Sequence, residues 1–440
     1  MSTSSTIELF PFQTEGVQFL RMRPAALLCD EMGLGKTAQA LVASNNGDPT
    51  LIVCPASLKS NWAREVKQWT SNPAVEILKG KGSFRWPDPG EVLITNYELL
   101  PEKMPDEIPL CVTVIADEAH YLKNRRSRRS KLFESVAWDA RIRGGRVWLL
   151  TGTPILNSPM DLWNILAAAG IHKKVFGSWP EFTRQFGGYR TKFGWRFSGP
   201  RPGVREKLND VMLRRTRKEV LPDLPPMRWT TMDVRLSDLV QNECDKVWES
   251  LMEAGLNESR IGEIISLESI GNIGEVSELR KLLAAAKIPD LIRLVDAYED
   301  AEEPLVVFSA HRMPIDILSD RKRWAVITGD TPSAERGRLV QDFQAGRLRG
   351  IAGTINAMGV GHTLTHAAHV VFVDREWVPA WNRQAEDRIM RIGQDRGCLI
   401  TDLVADHILD RHVYNILRKK TTLVKYTLEE FRDDDILTRS

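Results

Sequence analysis

The chain has 440 residues, 42% of them hydrophobic and 27% charged, with a net charge of only +2. That length suits two or three globular domains with real cores, and any polyanion must meet local patches instead of a global field. The five cysteines, at 29, 54, 111, 244 and 398, lack metal-pair spacing and read as reduced, mostly buried thiols; neither a signal peptide nor a run of about 18 apolar residues is visible, which excludes a helical membrane span.

Phe10-Pro11-Phe12-Gln13 opens the folded part, and Thr14 to Met22 reads as a short helix. The Gln13 carboxamide can pair with a donor and an acceptor on an adenine edge, or it can cap the helix; both readings stay open. Ala25 to Cys29 is an apolar run that reads as a buried strand. It leads into Asp30-Glu31-Met32-Gly33-Leu34-Gly35-Lys36-Thr37, and Ala38 to Ala43 can then start a helix. Strand, two-glycine turn and helix N-terminus make a phosphate site, because backbone N–H groups point inward and the helix dipole favours negative charge. Gly33 and Gly35 shape the turn, Lys36 would reach the β- and γ-phosphates, and the Thr37 hydroxyl would ligate Mg²⁺. The strict pattern has a further glycine where Asp30 stands.

Four more apolar runs follow: Leu51 to Cys54, Val92 to Thr95, Val112 to Ala116 and Val147 to Leu150. Mixed-polarity segments separate most of them, which predicts a parallel sheet covered on both faces, with ligands beyond the carboxyl ends of its strands. Asp117-Glu118-Ala119-His120 and Thr151-Gly152-Thr153-Pro154 stand at two of those ends. Asp117 would hold Mg²⁺, and Glu118 would orient or deprotonate an attacking water.

Three stretches, Asp-Glu-Met-Gly-Leu-Gly-Lys-Thr, Asp-Glu-Ala-His and Trp-Leu-Leu-Thr-Gly-Thr-Pro-Ile-Leu-Asn, resemble the Swi/Snf-type ATPases of helicase superfamily 2, motors on double-stranded DNA. The resemblance implies an α/β fold of two RecA-like lobes, each a mainly parallel sheet under helices, with helical insertions between them. It also implies ATP and Mg²⁺ as cofactors. His120, Thr151, Gly152 and Thr153 would couple the nucleotide site to the DNA track.

Six of the positions from 123 to 131 are Lys or Arg, among them Lys123, Arg125, Arg126 and Arg128. Phosphate binding and a solvated helix face both fit; beside a motor site the DNA reading is preferred. From Ile155 to about Lys287 the sheet pattern stops. Residues 187 to 203 are glycine-rich, basic and aromatic, and could lie on DNA or form a surface insertion. Leu213-Arg214-Arg215-Thr216-Arg217 and Leu221 to Pro226 resemble the family's inter-lobe passage.

A second strand series begins near Pro304: Leu305 to Phe308, Trp324 to Ile327, Gly350 to Ala352, Val370 to Val373 and Leu399 to Thr401, with Ser333 to Ala345 as a helix. No phosphate turn accompanies it. Gln384-Ala385-Glu386-Asp387-Arg388 to Gln394 supplies the expected charge: Arg388 and Arg391, three apart, are predicted on one helix face, aimed at the γ-phosphate. The frame places Gln384 at the cofactor. The Gly353 to Leu364 stretch, which includes Gly361, is assigned by the resemblance to ATP coupling and DNA contact. Met358, His362 and Thr363 depart from the family's usual residues there, and Met390 stands where the family usually has His before the second arginine.

The expected domains are 1–200 for the N-terminal ATP-binding lobe, 201–287 for the helical insertion and linker, and 288–440 for the C-terminal lobe. ATP would bridge the lobes, and Lys59, Asn96, Ser309, His311 and Thr354 are further candidate contacts to double-stranded or branched DNA. The resemblance is strongest to the annealing and fork-remodelling branch. A duplex translocase is therefore expected, acting as a monomer without a membrane, in the cytoplasm of a bacterium or a phage-infected cell. The rival expectations are a strand-separating helicase, a remodeller that strips proteins from DNA, and a DNA-binding scaffold with little turnover.

Overall fold

The computed structural model describes residues 8–44, 47–71, 74–105, 107–152, 154, 158–191, 194–253, 274–359, 363–377, 379–411 and 413–415. Two compact units divide between Pro222 and Asp223, within the segment expected to be linker.

In the first unit the strands are β1 (Ala25–Leu28), β2 (Thr50–Cys54), β3 (Ala74–Ile77), β4 (Glu91–Asn96), β5 (Thr113–Asp117), β6 (Arg146–Leu150), β7 (Gly188–Thr191), β8 (Gly194–Phe197) and β9 (Met212–Leu213). Seven form one parallel sheet in the order β3-β4-β2-β5-β6-β1-β9, and β7 and β8 make a separate antiparallel hairpin. β1, β2 and β4 are buried at every residue, as strands covered on both faces must be, and this is why they read as continuous apolar runs. β3 is an edge strand, with Val75 and Ile77 half-buried and Ala74 and Glu76 exposed. The apolar helix Pro159–Ala168 starts at Ser158, whose hydroxyl accepts from Met160 N while Asp161 accepts from Ser158 N, a capping box with proline in the first turn.

The second unit carries β10 (Met227–Val234), β11 (Leu305–Ser309), β12 (Trp324–Ile327), β13 (Gly350–Thr354), β14 (His369–Phe372) and β15 (Cys398–Ala405). They form a second parallel sheet in the order β10-β15-β14-β11-β13-β12. The helices Asp238–Glu253 and Gly274–Ala286 share an apolar cluster with Trp377, Ala405 and Leu409. Segment 201–287 delivers β9 to the first sheet and β10 to the second.

Four of the five free thiols are buried; Cys111 is exposed and has a positive φ of 57°. Among the described residues no helix is long and apolar enough to cross a membrane.

Candidate nucleotide site and nucleic-acid contacts

The phosphate turn sits at the carboxyl end of β1, followed by the helix Lys36–Ser44. Gly33 and Gly35 have φ of 86° and 74°, left-handed values that exclude most side chains. A Cβ on Gly35 would lie 2.3 Å from Gln13 Nε2. Gln13 is buried in the first turn of the helix Pro11–Arg21. Its Oε1 accepts from Phe10 N at 3.0 Å, and its Nε2 donates to Leu34 O at 3.2 Å. The carboxamide therefore caps its own helix and braces the phosphate turn at the same time.

Lys36 Nζ donates to Asp30 O at 2.7 Å and Glu31 O at 3.4 Å. Burial lowers the Lys36 pKa, while Glu118, Asp30 and Asp117 push it back up. A Cβ on Gly152 would meet Met32 Cγ at 2.7 Å and Lys36 Nζ at 3.6 Å, so the strand end after β6 lies directly against the turn. Thr151 donates its N–H to Leu28 O at 3.1 Å. Thr37 occupies the first helical turn, partly exposed.

Asp117 ends β5. Its Oδ2 accepts from Trp62 Nε1 at 2.7 Å, and Tyr97 Oη donates to its carbonyl at 2.7 Å. Burial, then the neighbouring Glu118 carboxylate, raise the Asp117 carboxyl to about 6. Glu118 stands in the left-handed region (φ 49°, ψ 50°), with His120 Nδ1 3.2 Å from its Oε2. This donor set suits Mg²⁺-nucleotide: burial and the Glu118 carboxylate raise the cost of ionising Asp117, a divalent ion would relieve it, and a hard cation prefers oxygen.

Sequence reasoning missed what Asp30 does. Fully buried, it accepts from Arg215 N (3.1 Å), Arg215 Nε (3.0 Å), Arg215 Nη2 (2.5 Å) and Gln39 Nε2 (3.1 Å). Arg215 also donates to Gln39 Oε1 at 2.9 Å and to Phe12 O. Glu31 pairs with Arg217 at 3.0 Å, and Arg214 Nη1 donates to Cys29 O at 3.3 Å. The arginine run after β9 thus grips the phosphate turn through its two acidic residues. The departure at Asp30 and the Arg-Arg-Thr-Arg run were both visible in sequence; only the fold joins them.

Among the expected DNA contacts of this unit, Lys59 Nζ donates to Asn96 Oδ1 at 3.0 Å, and Asn96 Nδ2 to Glu98 at 2.7 Å. Arg125 and Arg128 are exposed but pair with Glu134 (2.8 Å) and Glu102 (3.0 Å). Arg126 is exposed, and Lys123 is partly buried, its carbonyl accepting from Asn164 Nδ2 at 2.6 Å.

In the second unit one expectation is corrected. Arg388 and Arg391 do not share a helix face: the helix Pro379–Glu386 ends before them. Arg388 N and Ile389 N bond three residues back, to Ala385 O and Glu386 O, which tightens the chain out of α-helical geometry. Arg375 fixes that end by pairing with Glu386 (2.5 Å) and Asp402 (2.5 Å). Arg388 is buried, its Nε donating to Gly359 O at 2.8 Å, and Arg391 Nη1 donates to Thr363 Oγ1 at 3.2 Å. Gln384 is buried within the helix.

Ser309 is likewise under the surface. It is fully buried, donates to Asp374 Oδ1 and accepts from His311 N at 2.9 Å. His311 Nδ1 lies 2.5 Å from Asp374 Oδ2. Burial acts to raise the Asp374 carboxyl, but His311, Arg280 and Lys287 outweigh it and hold it at about 2. Thr354 is partly exposed at the end of β13. Thr153 and Gly361, expected at the coupling and cofactor sites, lie outside the described residues, as does His362.

A glycine turn on a buried parallel strand, a lysine at the following helix start and an Asp-Glu pair at the same sheet edge define a P-loop nucleotide hydrolase. Residues 12–275 match the SNF2-related domain, and residues 286–393 the helicase conserved C-terminal domain. The chain belongs to the SNF2-related family, ATPases of the helicase-like superfamily with two RecA-like lobes. It is 30% identical over 452 residues to the Bos taurus DNA annealing helicase and endonuclease ZRANB3, covering 96% of this chain and 40% of that protein. It is 32% identical over 468 residues to the Caenorhabditis elegans homologue of the SWI/SNF-related matrix-associated actin-dependent regulator of chromatin subfamily A-like protein 1, covering 99% of this chain and 64% of that one. The chain thus spans about two-fifths to two-thirds of the length of these relatives. A solved chain, the Sulfolobus solfataricus SWI2/SNF2 ATPase core in complex with dsDNA, is 22% identical with a TM-score of 0.43, covering 97% of each chain.

Proposed function

We propose that this protein is a DNA-stimulated ATPase that moves along double-stranded DNA and reshapes branched DNA by branch migration, fork regression or annealing. The observation that carries the reading is the phosphate turn, where Lys36 Nζ rests on the carbonyls of Asp30 and Glu31 and feels the charges of Asp117 and Glu118. Lys36 would leave those carbonyls for the β- and γ-phosphates, Thr37 and Asp117 would hold Mg²⁺, and Glu118 would align the attacking water. Mg²⁺ would supply charge neutralisation for phosphoryl transfer. Arg388 and Arg391 are proposed to add positive charge to the γ-phosphate, a role worth roughly 10³–10⁵ in rate where arginine fingers have been studied. That role requires Arg388 to exchange its bond to Gly359 for one to phosphate.

DNA contact would run through Arg126, Lys123 and the exchangeable exposed pairs of Arg125 and Arg128, with His311 and Thr354 in the second unit. Such groups touch phosphates and carry no base readout. The relatives' names, an annealing helicase among them, support a remodelling output. The experiment is an ATPase panel on single strand, duplex, fork and four-way junction, with Glu118→Gln as control. Hydrolysis that is the same with and without DNA would overturn the reading.

A further inference from the structure

The stretch from Phe182 to Arg205 holds Arg184, Arg190, Lys192, Arg196, Arg201 and Arg205 and no Asp or Glu. With 58 acidic residues in 440, a stretch of that length would carry about three by chance. Its centre is the β7–β8 hairpin, with Tyr189 opposite Arg196 and Arg190 opposite Trp195. Directly paired residues share a face of the ladder, and successive residues alternate faces.

The two faces differ. Trp195 and Phe197 lie on one face; Trp195 meets Trp179 edge-on at 5.6 Å, and Phe197 meets Phe182 at 6.1 Å. This anchors the hairpin on the helix Trp179–Gln185. That helix packs in turn on Trp163, whose neighbour Asn164 donates to the Lys123 carbonyl. The hairpin and the basic run after β5 are therefore mounted on one aromatic block. Tyr189 and Arg196 lie on the other face, both exposed, with Tyr189 at 57%.

We propose that the Tyr189–Arg196 face is a stacking platform for unpaired bases of DNA. An exposed ring beside a guanidinium, on a stretch of chain that carries cations and no carboxylate between Glu181 and Glu206, suits a polyanion whose bases are free to stack. A paired duplex offers phosphates to such a surface but no base face. The proposal extends the DNA reading above: it adds a contact used only where strands are open, as at a fork or an annealing bubble.

Binding is measured by fluorescence anisotropy on labelled oligothymidylate of about 20 nucleotides and on blunt duplex, with the full chain. Tyr189→Ala should weaken oligothymidylate binding about fivefold or more and leave blunt duplex within about twofold, whereas Tyr189→Phe should bind as wild type. Equal loss on both DNAs would mean a phosphate contact only, no loss on either would mean a surface insertion, and failure of Tyr189→Phe would mean a hydroxyl contact. Each of these overturns the proposal. Because the assay contains no ATP, a chain whose ATPase ignores DNA could still show Tyr189-dependent binding, so the two readings fail separately.

Discussion

Asp30 and Arg215 show how much one buried pair organises. Arg215 supplies three of the four donors that close on the Asp30 carboxylate, and Gln39 supplies the fourth. Removing one member leaves a charge buried without its partner, which costs about 3–5 kcal/mol. Arg215→Ala should therefore lower stability by about 3 kcal/mol in urea titration, while Arg125→Ala, which breaks an exposed pair, should cost under about 1 kcal/mol. Asp374 gives a pH signature. Its carboxyl, held at about 2 instead of 3.8, contributes roughly 2 kcal/mol that is complete above pH about 4 and is lost as pH falls toward 2. The gap in urea midpoint between wild type and Asp374→Asn should shrink steadily as pH falls below about 4.

Elements differed in how far they could be read in advance. β2, β4, β5 and β6 stood out because burial on both faces leaves each with a central run of apolar residues. β3 and β10 did not: each lies at a sheet edge and keeps exposed residues such as Glu76, Arg228 and Thr230. β9 is two residues long, below what a hydrophobic run can signal. The phosphate turn and the Asp-Glu pair were legible because their chemistry fixes residue type and spacing. The geometry of Arg388 was not, since spacing cannot show that the helix stops at Glu386, where Arg375 holds it. Nor could Ser309 be seen as buried, because its partner Asp374 is 65 residues away. The strand–turn–helix element yields its own test. Gly35→Ala puts a methyl against Gln13 at a φ of +74°, and Mg²⁺-ATP affinity, followed with a fluorescent nucleotide analogue, should fall at least about tenfold. Gly80→Ala, with φ +82° but nothing within 4 Å, should lose only about 1 kcal/mol of stability and bind nucleotide normally.

At the scale of the whole molecule, each unit has its own sheet and its own apolar clusters. Calorimetry should resolve two transitions, one lowered by Arg215→Ala and the other by Asp374→Asn. With a net charge of +2, DNA affinity must come from local patches, so it should drop steeply between about 50 and 200 mM salt, as read by anisotropy on duplex; a flat response would leave the basic run a solvated surface. The cysteines offer a practical opening. With four thiols shut inside and Cys111 outside, a maleimide dye has one address on the native protein. Five residues, at most about 20 Å of chain, separate that address from Asp117. A fluorophore there can test whether this chain travels along stretched DNA, without any cysteine having to be engineered in or out.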